Sequence, residues 1–108
     1  MYTVTKRLEV SGAHCLTLPY ESKCTNLHGH NWIIEVTCKS MELNEAGMVV
    51  DFALIKSVVE QLDHKFINDI IKVNPTAENI AKWIHDQIPH CKKVSVQESE
   101  GNIATYED

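Results

Sequence analysis

The chain has 108 residues, 44% of them apolar and 23% charged, the proportions of one soluble globular domain with room for a single core. A net charge of −5 leaves no basic stripe to release counterions from a nucleic-acid backbone. That excludes a general nucleic-acid binder but not a phosphorylated small substrate, which needs only a local cluster of Lys or Arg.

The N-terminal segment is strand-like and charged rather than a signal sequence, and no apolar run approaches the roughly 18 residues of a membrane span. Neither export nor membrane insertion is expected, and the expected compartment is the cytoplasm. Cys15, Cys24, Cys38 and Cys91 include no Cys-x-x-Cys pair, so reduced thiols are expected rather than bridges or a zinc ribbon.

Tyr2, Val4, Leu8 and Val10 alternate with Thr3, Thr5, Arg7 and Glu9, which predicts a half-buried first strand. A loop containing Pro19 follows. Residues 30–39 predict a second strand, with Trp32, Ile34, Val36 and Cys38 facing the core. Asn44 to Gly47 is a turn, and Asp51 is the N-cap of a helix carrying Ile55, Val58, Val59, Leu62 and Phe66. After a break at 68–75, Thr76 caps a second helix with Ile80, Ala81, Ile84 and Ile88 on its apolar stripe, ended by Pro89. Val94 and Val96 mark a third strand, Glu100-Gly101-Asn102 a turn, and Ile103 to Tyr106 a short fourth strand. The order is ββααββ: an α+β domain over 1–108, with a four-stranded antiparallel sheet and two helices on one face. Both sheet edges of so small a unit are unpaired, so self-association is expected.

His28 and His30 lie two apart, so an extended chain points both to one face, and they share parity with Trp32, Ile34 and Val36. Histidines on the buried side of a sheet need a partner. His14 joins them if the first strand continues past Val10 without a bulge. Three neutral imidazoles suit zinc with a fourth position left for water or substrate, and the Cys24 thiol nearby gives this the composition of a catalytic centre. Were Cys24 itself a ligand, the site would be closed and structural; spacing leaves both readings open.

Asp63-His64, at the end of the first helix, is either a proton-transfer pair or a surface dipeptide. Glu98 shares parity with Val94 and Val96, so its carboxylate either needs donors on the apolar face or has already reached solvent. Trp83, Cys38 and Cys91 read as packing residues. His85 and His90 read as solvent-facing or close to a helix C-terminus.

Together, Ser11-Gly12-Ala13-His14, Cys24-Thr25-Asn26-Leu27-His28-Gly29-His30-Asn31, Gly47-Met48-Val49-Val50-Asp51-Phe52, Leu62-Asp63-His64-Lys65, Pro75-Thr76-Ala77-Glu78-Asn79 and Val96-Gln97-Glu98 resemble the 6-pyruvoyl-tetrahydropterin synthase / 6-carboxy-tetrahydropterin synthase family. The resemblance covers nearly the whole chain, in order. It implies the tunnelling fold, in which subunits join as trimers into a barrel and stack as hexamers. It also implies one zinc per subunit on His14, His28 and His30, and a 7,8-dihydroneopterin triphosphate substrate. Glu98 would anchor the pterin N–H groups, Thr76 would line the ring pocket, and Cys24 would accept a proton. Asp63-His64 would complete the relay from a neighbouring subunit.

Only three residues separate Cys24 from His28, as in the enzymes that form 6-carboxy-5,6,7,8-tetrahydropterin with loss of acetaldehyde and triphosphate, a step towards queuosine. The rival readings are the pyruvoyl-forming lyase, a pterin side-chain lyase, and a zinc-stabilised binding module without catalysis. Two departures from the pattern stand out: Gly12 in place of Ala or Ser, and Cys15 where an Arg commonly follows the first histidine.

Overall fold

The computed structural model describes residues 1–108. Its frame is a long hairpin-like pair, β1 (Tyr2–His14) and β2 (His28–Ser40), antiparallel from Tyr2 opposite Ser40 to His14 opposite His28 without a bulge. The even-numbered positions of both strands therefore face one way throughout. Val10, Trp32, Ile34, Val36 and Cys38 are buried on that face, while Thr3, Thr5, Arg7, Glu9 and Glu35 on the other are exposed.

β4 (Cys91–Ser99) pairs antiparallel with β2, and β5 (Asn102–Glu107) with β4. A two-residue strand, β3 (Lys65–Phe66), runs parallel to β1 at Gly12 and Ala13, giving the order β3-β1-β2-β4-β5. The α+β architecture agrees with the sequence reading, with a fifth strand and mixed pairing in place of four purely antiparallel strands.

Asp51 caps α1 (Phe52–Val59), its carboxylate accepting from Ala53 N at 2.8 Å, and a 3-10 turn carries the chain to Leu62. Thr76 caps α3 (Ala77–His85) by accepting from Asn79 N at 3.1 Å. Between them lies α2 (Ile67–Ile70), a single turn in what the sequence suggested was only a break.

Two boundaries differ from expectation. Phe66 is not on the first helix: Asp63 turns extended because its carboxylate accepts from Ser11 N at 2.9 Å, and His64 takes a left-handed φ of 57°. The edge N–H of β1 is satisfied at the cost of ending the helix. The second helix ends at His85, before Pro89, with its last turns closed by Asp86 N on Lys82 O and Gln87 N on Ile84 O.

The core is one cluster of 20 buried apolar residues, in which Ile34, Val36, Val94 and Val96 of the sheet meet Ile55 and Val59 of α1 and Ile80 and Ile84 of α3. Cys38 and Cys91 face each other there as free thiols, and Trp83 packs against the cluster. His90 is exposed, whereas His85 is half-buried between Asp86 (2.9 Å) and Asp108 (3.0 Å). No helix is long and apolar enough to cross a membrane.

Ile34 has no exposed surface. Ile34→Ala is expected to lower unfolding free energy by about 2–5 kcal/mol in urea titrations, against about 0.5 kcal/mol or less for Arg7→Ala on the outer face.

Candidate metal centre and active site

The unbroken register places His14 directly opposite His28, and His30 opposite Gly12. The three imidazoles meet edge to face at centroid separations of 4.5 to 5.2 Å, over the buried Trp32 ring. Trp32 Nε1 donates to Gly12 O at 3.1 Å, which ties the floor of the cluster to β1. A Cβ on Gly12 would stand 3.0 Å from Ile67 Cδ1 and 3.2 Å from Leu62 O, so the glycine here allows the segment after α1 to approach the strand closely.

Hydrogen bonds behind the rings set their tautomers. His14 Nδ1 donates to Pro75 O at 2.8 Å and His28 Nδ1 donates to Asn26 O at 2.7 Å. Each therefore presents a bare Nε2 lone pair. Burial of His14 holds its pKa below the usual imidazole value of 6.5; the Pro75 bond and Glu98 pull the other way, while His28 and His30 add to the lowering. Burial thus favours the neutral form of the ring, the form a metal ligand takes. The Nε2 atoms of His14 and His30 are buried without a hydrogen-bond partner. Such orphaned atoms are what a cation explains.

Glu98 completes the cluster. It follows the buried Val94 and Val96 at the same parity, and the β4–β5 register shifts between Gln97 and Ser99, so Glu98 sits on a bulge. Bulges re-aim side chains beside sites. The ligand atoms of His14, His28, His30 and Glu98 lie within 4.8 Å of one another. Cys24 is not among them. Its thiol belongs to a turn over Lys23–Thr25, capped by Ser22 and held by Leu16 N on Cys24 O at 2.9 Å. Cys24 and Lys23 line a cleft of about 670 Å³ together with His28, His30 and Glu98. The residues present thus fit a metal held by three imidazoles with the Glu98 carboxylate in reach, and with a thiol alongside rather than in the cluster.

The remaining expected residues are distributed differently. Thr76 spends its hydroxyl on the α3 cap, while the next residue, Ala77, lines a second cleft that also contains Glu98. Asp63 and His64 are joined at 3.1 Å, with His64 81% exposed. His64 lines a cleft with Ser11, Asn31 and Phe66 that meets the Cys24 cleft at His30, which borders both. Hydrogen bonds from Ser11 N and then His64 hold the Asp63 carboxyl below its ordinary pKa.

Sequence reasoning missed the carbonyls of Pro75 and Asn26, which carry no residue-type signal. It also missed Asn68 and Asn74, whose amides pair with the backbone of Cys15 and Thr17 in both directions at 2.9–3.0 Å. Two asparagines in one short break were the available clue.

A mixed sheet backed by helices defines a protein of the tunnelling fold, with a histidine–carboxylate cluster that could hold a metal at one end of its longest strand pair. The chain belongs to the 6-pyruvoyl tetrahydropterin synthase family, whose sequence pattern matches residues 3–108. It is 34% identical over 121 aligned residues to the 6-carboxy-5,6,7,8-tetrahydropterin synthase of a Synechocystis species, covering 98% of this chain and 93% of the relative. The protein of the same name from Rickettsia bellii is 34% identical over 112 residues, covering 82% and 80%. The structure of Caenorhabditis elegans 6-pyruvoyl tetrahydropterin synthase superposes with a TM-score of 0.75 at 26% identity, covering 99% of this chain and 95% of that one.

The core is built from 20 buried apolar residues, and of the three histidines only His14 is buried against it, on Trp32. Chelator-treated protein is therefore expected to keep its circular dichroism spectrum and a cooperative unfolding transition, where a zinc-dependent fold would unfold. In metal-free protein the unfolded chain takes up a proton below about pH 6.5 that buried His14 refuses. Stability should thus fall as pH drops from 6.5 towards the lower folded pKa, by at most about 1.4 kcal/mol per pH unit from this residue. The measurement is urea unfolding across pH, and the increment should vanish in His14→Gln.

Proposed function

We propose that the protein is a zinc-dependent lyase that converts 7,8-dihydroneopterin triphosphate to 6-carboxy-5,6,7,8-tetrahydropterin, releasing acetaldehyde and triphosphate, in queuosine and 7-deazapurine biosynthesis. The observation that carries the reading is the convergence of imidazole nitrogens, two of them buried and unpartnered, beside a cysteine-lined cleft. His14, His28 and His30 hold one zinc per subunit. Bound zinc supplies a Lewis acid that stabilises charge developing on a side-chain oxygen of the substrate.

The chain's own groups do the rest. Cys24, on its turn above the cleft, accepts the proton from the carbon beside that oxygen. Glu98 receives the amino and ring N–H groups of the pterin, and the Thr76–Ala77 segment borders the ring. Lys23 lines the same cleft as Cys24 and offers a cation to the triphosphate, where Cys15 supplies none.

Asp63 orients His64 through Nδ1, leaving Nε2 to move a proton. His64 and Cys24 lie in neighbouring clefts that meet at His30, and His64 of a second copy completes the relay at Cys24. Self-association as trimers, stacked into hexamers, is supported by the sheet edge at β5 and by exposed Tyr2, Met48, Phe52 and Leu54. Four free cysteines suit a cytoplasmic enzyme.

The short Cys24–His28 spacing and the names of the 34%-identical relatives favour the carboxy product. The likeness to the worm enzyme keeps the pyruvoyl-forming reaction as second reading. A purely structural zinc module is disfavoured because Cys24 stands outside the cluster.

Zinc-loaded protein given 7,8-dihydroneopterin triphosphate should yield carboxy-tetrahydropterin and acetaldehyde by mass spectrometry, with turnover lowered about 10²-fold or more in Cys24→Ala. A pyruvoyl product would move the protein to the sister activity. No turnover with zinc retained would sink the enzyme reading for this substrate.

A further inference from the structure

Two demands fall on the Glu98 carboxylate. Its Oε1 lies 3.3 Å from His14 Nε2 and 3.0 Å from His30 Nε2. Because His14 donates from Nδ1 to Pro75, its Nε2 faces that oxygen lone pair to lone pair. Neither contact has hydrogen-bond geometry, and both nitrogens are buried without a hydrogen-bond partner. The bare His14 nitrogen and the carboxylate oxygen repel unless a cation stands between them. The two separations are close to the edge of a tetrahedron with centre-to-ligand bonds of ~2.0–2.1 Å, about 3.3 Å. With His28, whose ligand atom lies within 4.8 Å of the others, three imidazoles and one carboxylate oxygen can form a four-ligand set.

Glu98 also lines two clefts, one with Cys24, His28 and His30, the other bordered by Ala77 and Ile103. Pairing with adjacent N–H donors of a pterin requires both carboxylate oxygens. A carboxylate with one oxygen on the metal cannot provide that. The backbone leaves Glu98 free to move: it lies beyond the last β2–β4 pair, Ile33 with Gln97, and on the β4–β5 bulge. Its side chain is 28% exposed.

We propose that Glu98 is a displaceable fourth metal ligand, closing the centre in the substrate-free protein and drawn off by the paired N–H donors of an arriving pterin ring. The coordination position opposite the histidines then opens only when a pterin is present. A closed resting centre keeps water and stray anions off the metal, and binding energy at the ring is coupled to exposing it. This inference rests on the three-histidine metal reading above.

The test uses the full chain loaded with cobalt(II), whose visible spectrum reports its ligands, as wild type, Glu98→Gln and His28→Ala. Glu98→Gln should shift the spectrum and weaken cobalt affinity, measured by chelator competition, by about 10-fold or more. Unsubstituted pterin, which has the ring donors but no side-chain hydroxyls, should move the wild-type spectrum towards that of Glu98→Gln.

Superimposable spectra and equal affinities for wild type and Glu98→Gln would overturn the proposal, as would a wild-type spectrum unmoved by saturating pterin. If His28→Ala binds cobalt as tightly as wild type, the metal reading itself fails. If His28→Ala loses cobalt while Glu98→Gln matches wild type, only the role of Glu98 fails. Should Glu98→Gln not fold by circular dichroism, Glu98→Asp, one methylene too short to reach, carries the same comparison.

Discussion

The continuous register between β1 and β2 is the constraint on which the rest depends. Side chains alternate with a period of two, so one extra residue anywhere between Val10 and His14 would send His14 to the opposite face of the sheet. It would then lie with Ser11 and Asn31, away from His28 and His30. The same alternation carries Val10, Trp32, Ile34 and Val36 into the core, so the energy that fixes the register is apolar burial along 13-residue strands. The site inherits that precision without contributing to it.

What the histidines add is a local conflict that the surroundings contain. His14 is buried with a nitrogen that no protein donor reaches, and the Glu98 carboxylate is turned towards it. Carbonyls of Pro75 and Asn26 hold the rings in one tautomer, and Trp32 beneath is itself anchored to Gly12. These partners come from the break before α3, the Cys24 turn and β1, so three separate segments must be in place before the imidazoles are aligned. A cation among these atoms would resolve the conflict, while the apolar cluster packs beneath the histidines through Trp32.

Much of this was readable from residue types. Alternation around Val4–Val10 and Trp32–Cys38, the caps Asp51 and Thr76, and the His-x-His pair are local patterns, and local patterns survive folding when tertiary packing agrees with them. Phe66 was misplaced on α1 because helical spacing persists through Leu62-Asp63-His64. The competing force was an unpaired strand-edge N–H at Ser11, some fifty residues away, that captured the Asp63 carboxylate. The one-turn α2 and the parallel β3 follow from the same capture.

By itself the sequence determined the α+β class, the strand faces, the helix starts and the three histidines, because each rests on period, caps or spacing within a few residues. Only the tertiary structure decided which nitrogen His14 and His28 present, that Cys24 stands beside the cluster rather than in it, and that Glu98 reaches the histidines while His64 lies in a neighbouring cleft. Those outcomes depend on carbonyls, a strand bulge and the meeting of distant segments, none of which has a residue-type signature along the chain.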